Sequence, residues 1–336
     1  MEFHDQPATG LAAVPVTILT GFLGAGKTTL LNRILNGDHG LKVAVLVNDF
    51  GDINIDAELV VGVQDDVISL ANGCVCCQVR DDLIETIEEV LSRPESVEYV
   101  LLEASGVADP SGIAMTFVDT KFRDRIRLDS ITCVVDADQV FAHPEYPDLQ
   151  ELKLLQVGYS DMVILNKVDL AGPEQIKKVW AWIEECLSRV RIVEASHCDV
   201  PLEILLSVGR FDPSRYEGAS TPARGNHGHP RDHGQTFNTW SYESEKPMSL
   251  EALEEFVRER LPGCVYRCKG VIYSVEEPQR RAVLQVVGRR TDVMLLDQWG
   301  DRTPRTQIVA IAANKSIDAD SLRAEFDACL RDPAPA

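Results

Sequence analysis

Residues 72–82 read NGCVCCQVRDD, so Cys74, Cys76 and Cys77 place three thiols within four positions, directly ahead of a helical run. Thiolates are soft ligands that suit Zn²⁺ and Cu⁺, and a C-x-C-C loop presents up to three of them from one segment. Three ligands leave tetrahedral zinc with an open fourth position, a geometry suited to transfer, because a closed structural site uses four. The N-terminus of the following helix favours the thiolate form, while Asp81 and Asp82 in its first turn oppose it. Three other readings stay open: cysteines packed into a core, a redox-active vicinal pair at Cys76 and Cys77, or a structural site closed by a distant ligand. Core packing accounts for Cys133, Cys186 and Cys329 on apolar faces, but poorly for three cysteines in four positions.

A second group of residues has the spacing of a phosphate cradle. GFLGAGKT, residues 21–28, matches G-x-x-x-x-G-K-[ST] and lies between the apolar run VTILT and the helical run TLLNRIL. Glycines at 21, 24 and 26 let successive backbone N–H groups turn toward phosphates, and the helix that follows adds its positive dipole end. The cradle then comprises Gly21, Gly24, Ala25, Gly26, Lys27, Thr28 and Thr29, with Lys27 reaching the β and γ phosphates and the Thr28 hydroxyl holding Mg²⁺.

NKVD, residues 166–169, follows the strand-like MVIL and has the chemistry of a guanine reader. The Asp169 carboxylate can accept from guanine N1–H and N2–H₂, Asn166 can meet the N7 and O6 edge, and Lys167 lies between them. Adenine offers a donor where guanine has O6, so the pattern predicts GTP rather than ATP. Glu103, in EASG after the strand YVLLE, is placed to hold a Mg²⁺-bound water or to orient the attacking one. Asp49 and Asp52, in VNDFGD, fall where a switch loop senses the γ phosphate. The catalytic candidates are therefore Lys27, Glu103 and Asp49, with Asp136 in VVDA equally readable as a helix cap.

Short β-branched apolar runs, VTILT, KVAVLVN, DVISLA, EYVLLEAS, SITCVVDA, DMVILNK and RIVEAS, read as buried strands, and amphipathic segments alternate with them. In one segment Leu83, Ile84, Ile87, Val90 and Leu91 share a face; in another, opened by Pro173, Ile176, Val179, Trp180, Ile183 and Leu187 do so. This alternation predicts a doubly wound, mostly parallel α/β domain over residues 1–211. Residues 212–235 break the periodicity with proline, glycine and polar residues and read as a linker. Its His227, His229 and His233 read either as weak ligands for Zn²⁺, Ni²⁺ or Co²⁺ or as a polar loop. Residues 236–336 predict a smaller α+β domain with an antiparallel sheet, in which Cys264 and Cys268 read as packing.

The chain carries 33 Lys plus Arg against 53 Asp plus Glu, a net charge of −20, which argues against attraction to nucleic-acid backbones or anionic lipid. No apolar run approaches the ~20 residues of a membrane span, and residues 1–26 lack the basic residues of a secretory or transit leader. Nine cysteines, an odd number in a chain of 336 residues, suit a reducing cytoplasm better than a disulfide framework.

GFLGAGKTTLLN, VNDFGDINID, GCVCC ahead of a helix, EASGVADP, NKVDL, a histidine-containing linker, and RCKG, LQVVGRR, a tryptophan and TQIVAIAA together resemble the CobW family of metal-chaperone GTPases, from about residue 14 to 330. The resemblance implies a P-loop GTPase domain related to nickel chaperones, followed by a CobW-type C-terminal domain. It also implies GTP, Mg²⁺ and Zn²⁺ as cofactors, Co²⁺ being held by related chemistry, and a client metalloprotein as partner, with homo-oligomers compatible. By the same resemblance Cys74, Cys76 and Cys77 are the metal ligands, residues 21–28 the phosphate loop, Glu103 the Walker B acid and residues 166–169 the guanine reader. Two motifs depart from the family pattern: N-E-F-G-E stands here as NDFGD, shortening Asp49 and Asp52 by one methylene each, and R-A-K-G stands as RCKG, with Cys268 in place of alanine. A GTP-regulated docking module with a structural or redox-active cysteine cluster is the alternative reading.

Overall fold

The computed structural model describes residues 13–47, 67–69, 78–92, 97–118, 125–187, 190–206, 237–300, 302–313 and 318–331. The chain divides between Val208 and Gly209 into two compact units. In the first, β1 (Val14–Thr20), β2 (Val43–Val47), β3 (Val67–Ser69), β4 (Tyr99–Glu103), β5 (Ile126–Asp136), β6 (Met162–Asn166) and β7 (Arg191–Ala195) form one sheet in the order β3-β2-β4-β1-β5-β6-β7. All of its pairings are parallel, as the alternating sequence pattern requires.

Between the strands lie α1 (Lys27–Leu35), α2 (Gln78–Leu91), α3 (Pro110–Val118), α4 (Pro147–Gly158) and α5 (Pro173–Cys186), and the short α6 (Leu202–Leu205) follows β7. The strands are apolar at successive positions because both sheet faces are covered. Val100 and Leu102 of β4 pack with Leu83, Ile87 and Val90 of α2 and with Ile113 and Phe117 of α3. Leu101, pointing the other way between them, is equally buried. Further along the sheet, Cys133 and Val135 of β5 pack with Val179 and Ile183 of α5. Cys133 is thus core, while Cys186 on α5 is only partly buried.

In the second unit the sheet order is β11-β10-β9-β12-β8, from β8 (Phe237–Ser244), β9 (Val265–Tyr273), β10 (Arg280–Val287), β11 (Arg290–Gln298) and β12 (Thr306–Ala313), all antiparallel. α7 (Leu250–Glu259) and α8 (Ala319–Asp327) supply Leu253, Phe256, Leu322 and Phe326 to one core with Cys268 and Cys329. Cys268 and Cys329 are therefore packing residues, and Cys264 lies at the edge of the same cluster. Among the described residues no helix is long and apolar enough to cross a membrane.

Candidate nucleotide site

The parallel register brings the chemically marked segments to one edge of the first sheet. Leu19 of β1 is level with Glu103 of β4. On the other side Asp136, Asn166 and Ala195 line up across β5, β6 and β7. The loops leaving these strands carry the cradle, the EASG segment, Lys167 to Asp169 and Ser196 to Asp199. This is the carboxyl edge, where open parallel sheets bind ligands.

The cradle needs its glycines for reasons visible in the backbone. Gly21 has φ 134°, and a Cβ there would stand 2.2 Å from the Val134 carbonyl oxygen. Gly26 caps α1 with φ 115°, and a Cβ would meet Asn166 Nδ2 at 2.5 Å and Cys198 Sγ at 3.0 Å. α1 begins with no side-chain cap and no acidic residue in its first turn, so its amide end is left for an anion. Lys27 is buried, and its ammonium donates to Gly21 O at 3.0 Å and Phe22 O at 3.5 Å. Thr28 and Thr29 follow in the first turn, partly exposed and exposed. A glycine cap, uncapped amides and a lysine folded over the loop fit a triphosphate, and the Thr28 hydroxyl fits the Mg²⁺ that would neutralise charge on its oxygens.

Glu103 closes β4 with its side chain buried, and Ala104 N donates to Leu19 O at 2.8 Å. The loop beyond it lies close to the cradle, since a Cβ on Gly106 would stand 2.7 Å from Leu23 Cδ2. Gln156, buried on α4, holds this loop by donating to Gly106 O at 3.0 Å and Ala108 O at 3.2 Å. Sequence reading had no signal for Gln156, which looks there like any polar helix residue.

The structure shows Asn166 tied to backbone on two sides. Its Nδ2 donates to Ala25 O at 2.8 Å, its Oδ1 accepts from Cys198 N at 2.8 Å, and the side chain is 2% exposed. The amide braces the cradle against the loop after β7, with one donor and one acceptor site used by backbone and the second N–H and second lone pair left over. Replacing it with alanine strands a buried carbonyl and a buried N–H, at about 1–3 kcal/mol each. Asn166→Ala is therefore expected to weaken nucleotide binding and lower the thermal midpoint together, read by titration calorimetry and a melting curve. An unchanged Kd would remove the brace from the account.

Asp169, the acidic residue of the same motif, is exposed and accepts from Ser196 Oγ at 2.6 Å. That hydrogen bond is the main influence holding its carboxyl below the ordinary range, so the acceptor form persists. Lys167 adopts φ 63° and pairs with Asp136 Oδ2 at 2.6 Å. The other Asp136 oxygen accepts from Asp138 N and Gln139 N, both at 3.0 Å, so it caps the turn after β5 and not a helix.

Ser196, His197 and Cys198 were absent from the sequence-based candidates. His197 and Cys198 are both left-handed, φ 52° and 55°, which costs about 1–2 kcal/mol for each non-glycine residue. A signal existed in their position, directly after the strand next to β6. Cys198 Sγ lies 3.3 Å from Gly26 O, and burial pushes its thiol up to about 12. Burial also raises Cys133 and Cys268 to about 12 each. The thiolate is the nucleophile, so alkylation of the native protein near pH 8, mapped by mass spectrometry, is expected to leave these three unlabelled until it is unfolded. Labelling of Cys198 in the folded protein would contradict its burial.

Asp49, Asp52, Cys74, Cys76, Cys77 and the three linker histidines lie outside the described residues. Among the described residues no group of three or more His, Cys, Asp or Glu could hold a metal ion.

Residues 15–194 match the family described as CobW/HypB/UreG, nucleotide-binding domain, and residues 237–330 match the cobalamin synthesis protein cobW C-terminal domain. The chain belongs to the CobW/HypB/UreG family. It is a P-loop GTPase of that family, with the cradle, Glu103, Asn166 and Asp169 all inside the matched nucleotide-binding domain. Among CobW-type relatives it is 34% identical to the zinc chaperone CobW of Pseudomonas aeruginosa, over 91% of this chain and 89% of that protein. It is 30% identical to zinc-regulated GTPase metalloprotein activator 1 of Dictyostelium discoideum, over 88% of this chain and 70% of that protein. Zn(II)-bound YjiA GTPase from E. coli, a solved structure, is similar at 25% identity with a TM-score of 0.42, covering 96% of this chain and 100% of that one.

Proposed function

We propose that this CobW-type GTPase is a metal chaperone that binds zinc through Cys74, Cys76 and Cys77 and passes it to a client metalloprotein in a GTP-gated cycle. The observation that supports the reading is where two segments leave the sheet. β2 and β3 pair in parallel with Val47 level with Ser69, and Val47 is also level with Glu103. The stretch carrying Asp49 follows β2, and the C-x-C-C stretch lies between β3 and α2, so both begin at the edge that bears the cradle. Its relatives of similar length are named as zinc chaperones.

Such a cycle needs the γ phosphate and the metal to favour the same conformation of these segments, and linkage then makes the effect reciprocal: GTP tightens zinc and zinc tightens GTP. Hydrolysis relaxes the segments and releases the ion. Lys27 and the cradle amides stabilise charge on the transferred phosphoryl group, with Glu103 and Asp49 handling the attacking water. None of the motifs supplies an arginine finger, so intrinsic turnover is slow and leaves room for acceleration by the client. A reducing cytoplasm keeps the thiols available.

The test loads the protein with zinc and GTP and follows, in a single turnover, phosphate release and transfer of zinc to a chromophoric chelator. Zinc transfer at the rate of phosphate release, and retention with a nonhydrolysable analogue, is the expected result. Transfer at the same rate with either nucleotide would overturn hydrolysis-driven release and favour a structural metal.

A further inference from the structure

Arg33 sits in the last turn of α1, the helix that opens with Lys27, yet its guanidinium serves the other end of the nucleotide site. Nε donates to His197 O at 2.6 Å, and Nη1 donates to Asp199 Oδ1 at 2.6 Å. These two acceptors flank Cys198, and His197 and Cys198 are the two left-handed residues of the loop after β7. The loop is thus pinned on both sides, by Arg33 from α1 and by Asn166 Oδ1 on Cys198 N. One residue earlier, Ser196 Oγ donates to Asp169. A planar fork that spans a carbonyl and a carboxylate fixes direction as well as distance.

The ion pair itself is half in solvent, the two side chains being 31% and 44% exposed, and exposed pairs contribute little to stability. Its consequence is therefore geometric. Freed from Arg33, the Ser196–Asp199 segment can relax toward ordinary backbone angles, and the hydroxyl that orients Asp169 moves with it.

We propose that Arg33 is a positioning residue for guanine selectivity, linking the phosphate-binding helix to the loop that orients Asp169. The proposal rests on Asp169 as the base reader. Because α1 carries Lys27 at one end and Arg33 at the other, ordering of the helix by bound phosphates also orders the base side of the site.

The test compares GDP with inosine diphosphate, which lacks the 2-amino group, by competition against a fluorescent nucleotide on the full chain. Variants are Arg33→Gln, Asp199→Ala, their double, and Asp169→Asn. Arg33→Gln is expected to weaken GDP about tenfold and inosine diphosphate about threefold or less, lowering the ratio between them. Asp199→Ala should do the same, with the double no worse than either single. An unchanged ratio in Arg33→Gln, or equal loss for both nucleotides with a lowered melting midpoint, would overturn the proposal and leave a surface ion pair. Asp169→Asn separates the two layers: it should erase the ratio by itself. A wild-type ratio in that variant would refute Asp169 as base reader, and the proposal about Arg33 would fall with it.

Discussion

Asp169→Asn is expected to lower GTP affinity by about 10³-fold and to make xanthosine triphosphate the preferred nucleotide. Guanine presents two donors, N1–H and N2–H₂, and a carboxylate answers both as an acceptor. An asparagine amide can accept from one but turns its own N–H₂ toward the other, leaving opposed donors at the base edge. Xanthine carries a carbonyl where guanine carries the amino group, so the same amide now finds an acceptor. The Ser196 hydroxyl, 2.6 Å from Asp169 Oδ1, keeps the carboxylate in its acceptor form and fixes its orientation, which is why the effect should be large at an exposed residue. Competition titration of GTP, XTP and ATP on both proteins reads the result. Retained GTP preference in the variant would show that another group reads the base.

Lys27→Ala is expected to reduce GTP hydrolysis by about 10²–10³-fold or more while leaving the fold intact. Lys27 is 7% exposed, and its ammonium donates to Gly21 O and Phe22 O. Holding a cation at a buried position costs desolvation, so its removal is expected to leave the core intact. The charge matters when the γ phosphate is present. A melting midpoint within about 3 °C of wild type, together with lost single-turnover hydrolysis, is the expected pair of readings. Hydrolysis within about threefold of wild type would contradict the assignment of Lys27, and a collapsed melting midpoint would assign it to the fold instead.

Much of the first unit was legible because buried parallel strands must be apolar on both faces, and VTILT, YVLLE and MVIL are so. The edge strand β11 was not picked out. RTDVMLLDQ is half-exposed along most of its length and lacks a clean alternation, although Gly288 at φ 57° marks the turn that joins it to β10. In the site, the cradle was legible because its glycines are demanded by backbone geometry, as the 2.2 Å approach to Val134 O at Gly21 shows. The bracing bonds of Asn166 were not legible, because its motif is short and its partners, Ala25 and Cys198, are contributed by distant segments. The left-handed conformation of His197 and Cys198 was not legible even though their position after β7 was, since residues with a Cβ rarely take that conformation.

The measurement that bears most directly on gated zinc binding is an equilibrium competition for Zn²⁺ against a chromophoric chelator, with the protein held in GDP or in a nonhydrolysable GTP analogue with Mg²⁺. The triple serine variant at Cys74, Cys76 and Cys77 serves as the control. The account predicts zinc held tenfold or more tighter in the GTP-analogue state, about 1.4 kcal/mol of coupling, and lost in the variant. Equal zinc affinity in the two nucleotide states would contradict it and leave a GTPase whose thiol cluster is structural or redox-active.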